Sequence, residues 1–191
     1  MKKQLITAFW FTLVTTLIFG VIYPLAVTAI AQVAFPHQAN GSLIVKNGQV
    51  IGSKLIGQAF SADKYFHSRP SAAGNGYDPL ASGGSNLGPT NQALISRVRD
   101  DVAKLQHERP GELVPADMVT TSASGLDPDI SPANAEFQIE RVAKARGMSP
   151  DAVRQIVARH SEGRQLGLFG EPRVNVLELN LDLDGNAPSH Q

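Results

Sequence analysis

Leu5 to Phe35 reads LITAFWFTLVTTLIFGVIYPLAVTAIAQVAF, and no Lys, Arg, Asp or Glu lies between Lys3 and Lys46. About 20 apolar residues in helical form, at ~1.5 Å each, cross a hydrocarbon core of ~30 Å. Inside lipid every backbone N–H and C=O must find a partner within the segment, so the stretch is expected to be helical. We place the span at about residues 7–30, within an N-terminal segment of residues 1–35. Trp10 and Tyr23 carry amphipathic rings suited to the membrane interfaces. Pro24 removes one backbone donor and sets its ring against the carbonyl four residues back, so a kink is expected there.

A cleaved secretory signal is the competing reading, with Lys2-Lys3 as a basic start and Ala29-Ile30-Ala31 as a small-x-small site. The apolar run is about twice the usual ~7–15 residues of such a signal, which favours a retained anchor. Either way the rest of the chain is delivered across the membrane. Lys2 and Lys3 favour the cytoplasmic side, so the N-terminus is expected inside and residues 36–191 outside.

Those 156 residues suffice for one compact domain with its own core. Without Lys2 and Lys3 the chain holds 15 basic against 17 acidic residues, so no basic field exists to draw nucleic acid. There is no cysteine, which excludes disulfides, thiolate metal sites and cysteine nucleophiles.

Leu43-Ile-Val and Gln49-Val-Ile flank Lys46-Asn47-Gly48, and two short apolar runs around Asn-Gly predict a β-hairpin. Lys54 to Phe60 reads as a further strand or a first helical turn. His67 to Pro89 is dense in glycine and proline and is expected to be irregular, although Tyr77, Leu80 and Leu87 argue for order. Thr90 to Gln106 places Leu94, Ile95, Val98, Val102 and Leu105 on one helical stripe. Pro110 to Pro128 is a second irregular region, with a short strand at Met118 to Thr120. Ser131-Pro132 and Ser149-Pro150 each start a helix, the first ending at Gly147. Phe137, Val142 and Ala145 are its expected apolar contacts, with Val153, Ile156 and Val157 inward on the next. From 174 to 184 leucines alternate with polar residues as in a strand, while Asn175 and Glu178 form a capping pair for a short helix; both readings stand. The fold class is α+β: one membrane helix followed by a compact, loop-rich soluble domain.

The two helices after Ser131 have the outline of a helix-turn-helix, with Arg141, Lys144, Arg146, Arg154 and Arg159 nearby. In a near-neutral domain beyond a membrane span, a helical hairpin with arginines on a solvated face is the better reading. Ser82 to Asn86 leads toward the N-terminus of the Thr90 helix, where backbone N–H groups favour anions; a helix-capping turn competes, and the Gly-Lys-Ser/Thr of a P-loop is missing. The five histidines are scattered without metal-ligand spacing, and Asp182-Leu-Asp-Gly-Asn lacks the downstream glutamate of a calcium loop. Neither a resident metal nor a catalytic residue is expected. The Asp-Lys-Thr-Gly sequence phosphorylated in cation-pumping ATPases does not occur either.

Several stretches closely resemble the C subunit family of the Kdp potassium-transporting ATPase. They are Gly52-Ser-Lys-Leu-Ile-Gly-Gln, Tyr65-Phe-His-Ser-Arg-Pro-Ser-Ala-Ala-Gly, Ser82-Gly-Gly-Ser-Asn-Leu-Gly-Pro-Thr-Asn and Ser124-Gly-Leu-Asp-Pro-Asp-Ile-Ser-Pro. Gln138-Ile-Glu-Arg-Val-Ala-Lys-Ala-Arg-Gly, Gly163-Arg-Gln-Leu-Gly and Arg173-Val-Asn-Val-Leu-Glu-Leu-Asn-Leu continue the series. The resemblance implies a non-catalytic accessory subunit of a pump that imports potassium at the expense of ATP. It implies three partners: a channel-like subunit, a P-type ATPase subunit and a small single-helix subunit. It also implies a role in promoting ATP binding, with the nucleotide itself on the ATPase partner. Ser82, Gly83, Gly84 and Ser85 are similar to the Ser-Gly-Gly-Gln core of transporter signature motifs, with Ser85 in the glutamine's place; Asn86 and Gln138 join them as nucleotide-associated candidates. Thr12, Thr15, Thr16 and Gly20 are the expected contacts of the membrane helix with its partners. An anchored or secreted extracytoplasmic binding domain without a pump is the alternative.

Overall fold

The computed structural model describes residues 1–185; Asn186, which completes the Asp182–Asn186 sequence, and His190 lie outside them. The chain divides into two compact units, Met1–Leu43 and a second beginning at Ile44.

The first unit is dominated by one apolar helix, Lys2–Ala34, long enough to cross a membrane. It comprises α1 (Lys2–Leu17), a π turn (Ile18–Ile22) and α2 (Tyr23–Ala34). The π turn sits immediately before Pro24, where a regular ladder would lack a donor and press the ring on a carbonyl; widening one turn accommodates both. No residue of α1 or α2 is buried, so the apolar side chains all face outward. Phe35 leaves the helix at φ −139°, because the following Pro36 disfavours α geometry there. A single turn, α3 (Pro36–Ala39), follows.

β1 (Leu43–Lys46) and β2 (Gln49–Ser53) form the expected hairpin. Asn47 (φ 52°) and Gly48 (φ 76°) both sit in the left-handed region, as a type I′ turn requires. Lys54 to Phe60 is neither strand nor helix; only an isolated bridge joins Ser53 and Ile56. α4 (Gln92–Glu108) is capped by Asn91, whose side chain accepts from the Ala93 N–H, two residues after the predicted Thr90 start. Its stripe is only half-buried.

The predicted strand at Met118 is instead a 3₁₀ turn, Ala116–Met118. The cause is Asp117, whose carboxylate accepts from Ser131 N (2.8 Å), Ser131 Oγ (3.0 Å) and Asn134 Nδ2 (3.0 Å) at the start of the next helix. The strand comes later, as β3 (Asp129–Ile130). α5 (Pro132–Arg146) and α6 (Pro150–Arg159) are capped by Ser131 and Ser149 as expected, and Gly147 ends α5 at φ 65°. β4 (Ser161–Glu162), β5 (Arg173–Asn175) and α7 (Val176–Leu183) complete the chain. The open reading of the tail thus resolves to a short strand and then a helix, with Asn175 accepting from the Glu178 N–H at 3.1 Å.

β3, β5 and β4 form an antiparallel sheet in that order, pairing Ile130 with Val174 and Ser161 with Val174. The core lies among this sheet, α5, α6 and α7: Phe66, Ile130, Ile139, Val142, Val153, Val174 and Leu179 are all at or below 2% exposure. Ala145 is exposed, and Ala135, Ile139 and Ala143 take its expected place. Of the arginines on these two helices, Arg154 and Arg159 lie on a solvated face as expected, whereas Arg141 and Arg146 turn to backbone carbonyls. Arg141 donates to the Asp63 and Tyr65 carbonyls, Arg146 to the Lys64 and Leu183 carbonyls, and Arg154 and Arg159 pair with Glu136 and Asp182.

Candidate functional site

The segment Tyr65 to Arg69 belongs to no helix or strand, so its buried backbone groups need another source of hydrogen bonds. Two carboxamides supply them. Asn180 of α7 accepts from the Phe66 N–H (2.8 Å) and donates to the Phe66 carbonyl (3.0 Å). Gln138 of α5 does the same at the next residue, accepting from the His67 N–H (2.7 Å) and donating to the His67 carbonyl (3.1 Å). An amide side chain offers a donor and an acceptor in fixed relation, as a neighbouring strand does. Gln138 also donates to Asn134 Oδ1 (2.6 Å) and accepts from Arg141 Nη2 (2.6 Å), which leaves the buried side chain fully bonded.

Beside Gln138 lies a cavity of about 560 Å³, bounded by α4, α5, Met118 and the segment Asp63 to His67. Its walls carry Arg109, Arg141 and Lys144 against Asp63, Glu108 and Glu140, so the charges balance. Burial lowers the His67 pKa and the neighbouring Arg141 guanidinium lowers it further, both disfavouring the charged ring. Burial also draws Arg141 down from the ordinary arginine value, against Asp63 and Glu108. Arg109 lies over the Phe137 ring at 5.3 Å and donates to the Phe137 carbonyl. Among the described residues, no Ser, Thr, Cys or Tyr lines the cavity. This arrangement can hold a small polar group by hydrogen bonds.

Ser82 to Asn86 is not part of that cavity. The Ser82 hydroxyl and the Gly83 N–H both donate to the Ser124 carbonyl, at 2.9 and 2.8 Å. Gly84 packs on Ala123, Ser85 is half-buried, and Asn86 adopts φ 52°. The loop is tied down along Ser122 to Asp127, where Ser71 donates to the Gly125 carbonyl (2.6 Å) and Arg69 pairs with Asp127 (2.8 Å). The Gly83 N–H is therefore already engaged. Gln138 and the Ser82 loop belong to separate places, and Asn180 and Asn134 are the polar residues the sequence reading missed. For Asn180 the signal was an amide among alternating leucines, Leu177-Glu-Leu-Asn-Leu; Asn134 left none.

In the membrane helix, Thr12, Thr16 and Gly20 follow one another at four-residue spacing and share a face. Thr15 donates back to the Phe11 carbonyl (2.7 Å), so its hydroxyl is satisfied within its own helix.

The family described as KdpC, the c chain of K⁺-transporting ATPases, matches residues 5–185. A potassium-transporting ATPase KdpC subunit from Koribacter versatilis (strain Ellin345) is 63% identical over 188 residues, covering 98% of this chain and 97% of that protein. Proteins of the same name are 60% identical in Acidobacterium capsulatum, over 95% and 98% of the two chains, and 58% identical in Rhodopseudomonas palustris (strain BisB18), over 96% and 98%. A match that takes in both the apolar helix and the folded unit leaves one conclusion: the chain belongs to the KdpC family of potassium-transporting ATPase subunits.

Proposed function

We propose that this chain is the accessory, non-catalytic subunit of an ATP-driven potassium import complex, which it helps assemble and whose P-type ATPase subunit it helps to bind ATP. The carrying observation is the family match from residue 5 to residue 185, across helix and domain alike. In this reading the partners are the channel-like subunit, the P-type subunit and a small single-helix subunit. Lys2 and Lys3 keep the N-terminus on the cytoplasmic side of the inner membrane, and the domain lies outside. ATP then contacts the P-type partner, and its effect reaches this chain as a coupling free energy between distant sites. The bonding of Ser82 and Gly83 to Ser124 supports that division of labour, because it occupies groups an anion would need.

Affinity purification of the tagged full chain from gently solubilised membranes tests the reading. Recovery with the other pump chains and ATPase activity is expected; recovery of the chain alone would sink it. Cysteines at positions 2 and 185, probed in intact cells, test orientation, with labelling expected at 185 only. An azido-nucleotide should label the P-type chain, and adducts within residues 82–88 would move the nucleotide site here.

A further inference from the structure

Six charged side chains line the cavity beside Gln138, and one pair of them is joined: Arg109 with Glu140, at 3.3 Å. The other four, Arg141, Lys144, Asp63 and Glu108, form no ion pair among the described residues. Arg141 and Lys144 stand three residues apart on α5 and share a face, while Asp63 comes from the segment before Tyr65 and Glu108 from the end of α4. Arg141 is the sharpest case, because it is half-buried and meets only uncharged partners. Its guanidinium donates to the Asp63 carbonyl (2.7 Å), the Tyr65 carbonyl (3.1 Å) and Gln138 Oε1 (2.6 Å), with His67 Nε2 at 3.4 Å. Neutral oxygens fix the orientation of a guanidinium without cancelling its charge.

Two unanswered cations and two unanswered carboxylates around one cavity select the charge of what fits there. A simple anion would gain at Arg141 and Lys144 but meet Asp63 and Glu108, and a polyphosphate would meet them several times over. A simple cation faces the reverse. An uncharged solute leaves all four groups as they are. A molecule carrying both signs gains at each end, and Leu105, Met118 and the buried Phe137 offer its carbon frame apolar wall. The volume, about 560 Å³, falls among the ~300–1,000 Å³ of small-molecule sites. We propose that this cavity binds a small zwitterion, its carboxylate set against Arg141 and Lys144 and its ammonium against Asp63 and Glu108. Such binding is independent of the reading of the chain as a pump subunit.

The test titrates the full chain in detergent micelles with ω-amino acids from glycine to 6-aminohexanoate, with propionate and propylamine as controls of one charge each. The His67 ring signals, followed by NMR, should shift saturably, with one chain length bound about tenfold or more tightly than either control. Glu108→Gln and Lys144→Gln alter exposed side chains that have no partner in the fold, and each should weaken that zwitterion about threefold, as exposed charge contacts do. Arg99→Gln, an exposed change outside the cavity, should leave the affinity as it is. Equal affinity for zwitterions and controls, no saturable shift at any chain length, or unchanged binding by both cavity variants would overturn the zwitterion site. Since the chain is titrated alone, failure to recover other pump chains would sink the subunit reading and leave this site standing.

Discussion

The membrane helix and the folded domain solve the same problem in opposite ways. From Lys2 to Ala34 the backbone bonds to itself, the side chains make almost no contacts that matter to the fold, and the medium supplies the stability. From Ile44 onward much of the backbone is irregular, and side chains satisfy it: Asn180 and Gln138 pair with Phe66 and His67, Ser71 and Ser82 with the 124–125 carbonyls, and Asp117 with the start of α5. The first unit is therefore specified by composition and the second by individual polar atoms. Single substitutions should reflect that difference.

The largest effect is expected at Asn180. Asn180→Ala removes both partners of the Phe66 backbone, on a residue at 0% exposure, and leaves a void. Two unsatisfied buried groups cost about 3–5 kcal/mol together, read as a lower urea midpoint with membrane association intact. Unchanged unfolding would remove the claim that carboxamides hold this segment. In the helix, only a charge should do comparable harm. Val14→Arg is expected to cost about 3 kcal/mol in insertion, measured as release by carbonate washing, while the domain's unfolding is unaffected.

A pair of glycines sharpens the contrast. Gly125 sits at φ 67°, and a Cβ there would lie 2.7 Å from the Ala73 nitrogen and the Gly83 oxygen. Gly125→Ala should cost about 2 kcal/mol and loosen the loop containing Ser82. At Gly20 the nearest atom to an added Cβ is Thr16 Cγ2 at 3.7 Å, an ordinary contact. Gly20→Ala should then leave the helix unchanged or improve it by up to about 1 kcal/mol, and any loss of pump chains would point to a partner against that face.

The same contrast explains what could be read in advance. The helix was legible because insertion depends on composition, and the hairpin because Asn47-Gly48 admits few turns. Helix starts at Ser131 and Ser149 were written in their caps. The tail was not legible, because both sets of alternating residues are buried: Leu177 and Leu179, but also Glu178 and Asn180. Alternation marks a strand only when one face is wet. β3, β4 and β5 are two or three residues long, too short for any period to register. For the candidate site, Gln138 could be singled out from its setting, but its true partner, the His67 backbone, lies 71 residues earlier and left no local trace.

Acid should separate the two units with the smallest effect. At the end of α7, burial pushes Asp182 upward, but hydrogen bonds from His160 (2.9 Å) and Arg159 (3.1 Å) outweigh it and leave its pKa lowered. Asp184 behaves alike, with burial opposed by Arg146 (2.8 Å) and the Tyr65 hydroxyl (2.8 Å). A carboxyl lowered in the folded state contributes stability that is present above its unfolded pKa, 3.8 here, and is lost as pH falls through the folded value. These two carboxylates should therefore add a loss of stability below 3.8, beneath an earlier loss that begins near 6.5, where the unfolded chain takes up the proton that buried His67 disfavours. Each pair is expected to contribute no more than about 1 kcal/mol, since both remain partly solvated. Residues 4–34 contain no titratable side chain except Tyr23, so retention in the bilayer should not change over the same range. Asp182→Asn with Asp184→Asn should flatten the acid limb of the unfolding curve; an unaltered limb in that variant would place the acid sensitivity in other carboxylates, such as Glu162, whose pKa the Lys54 hydrogen bond lowers.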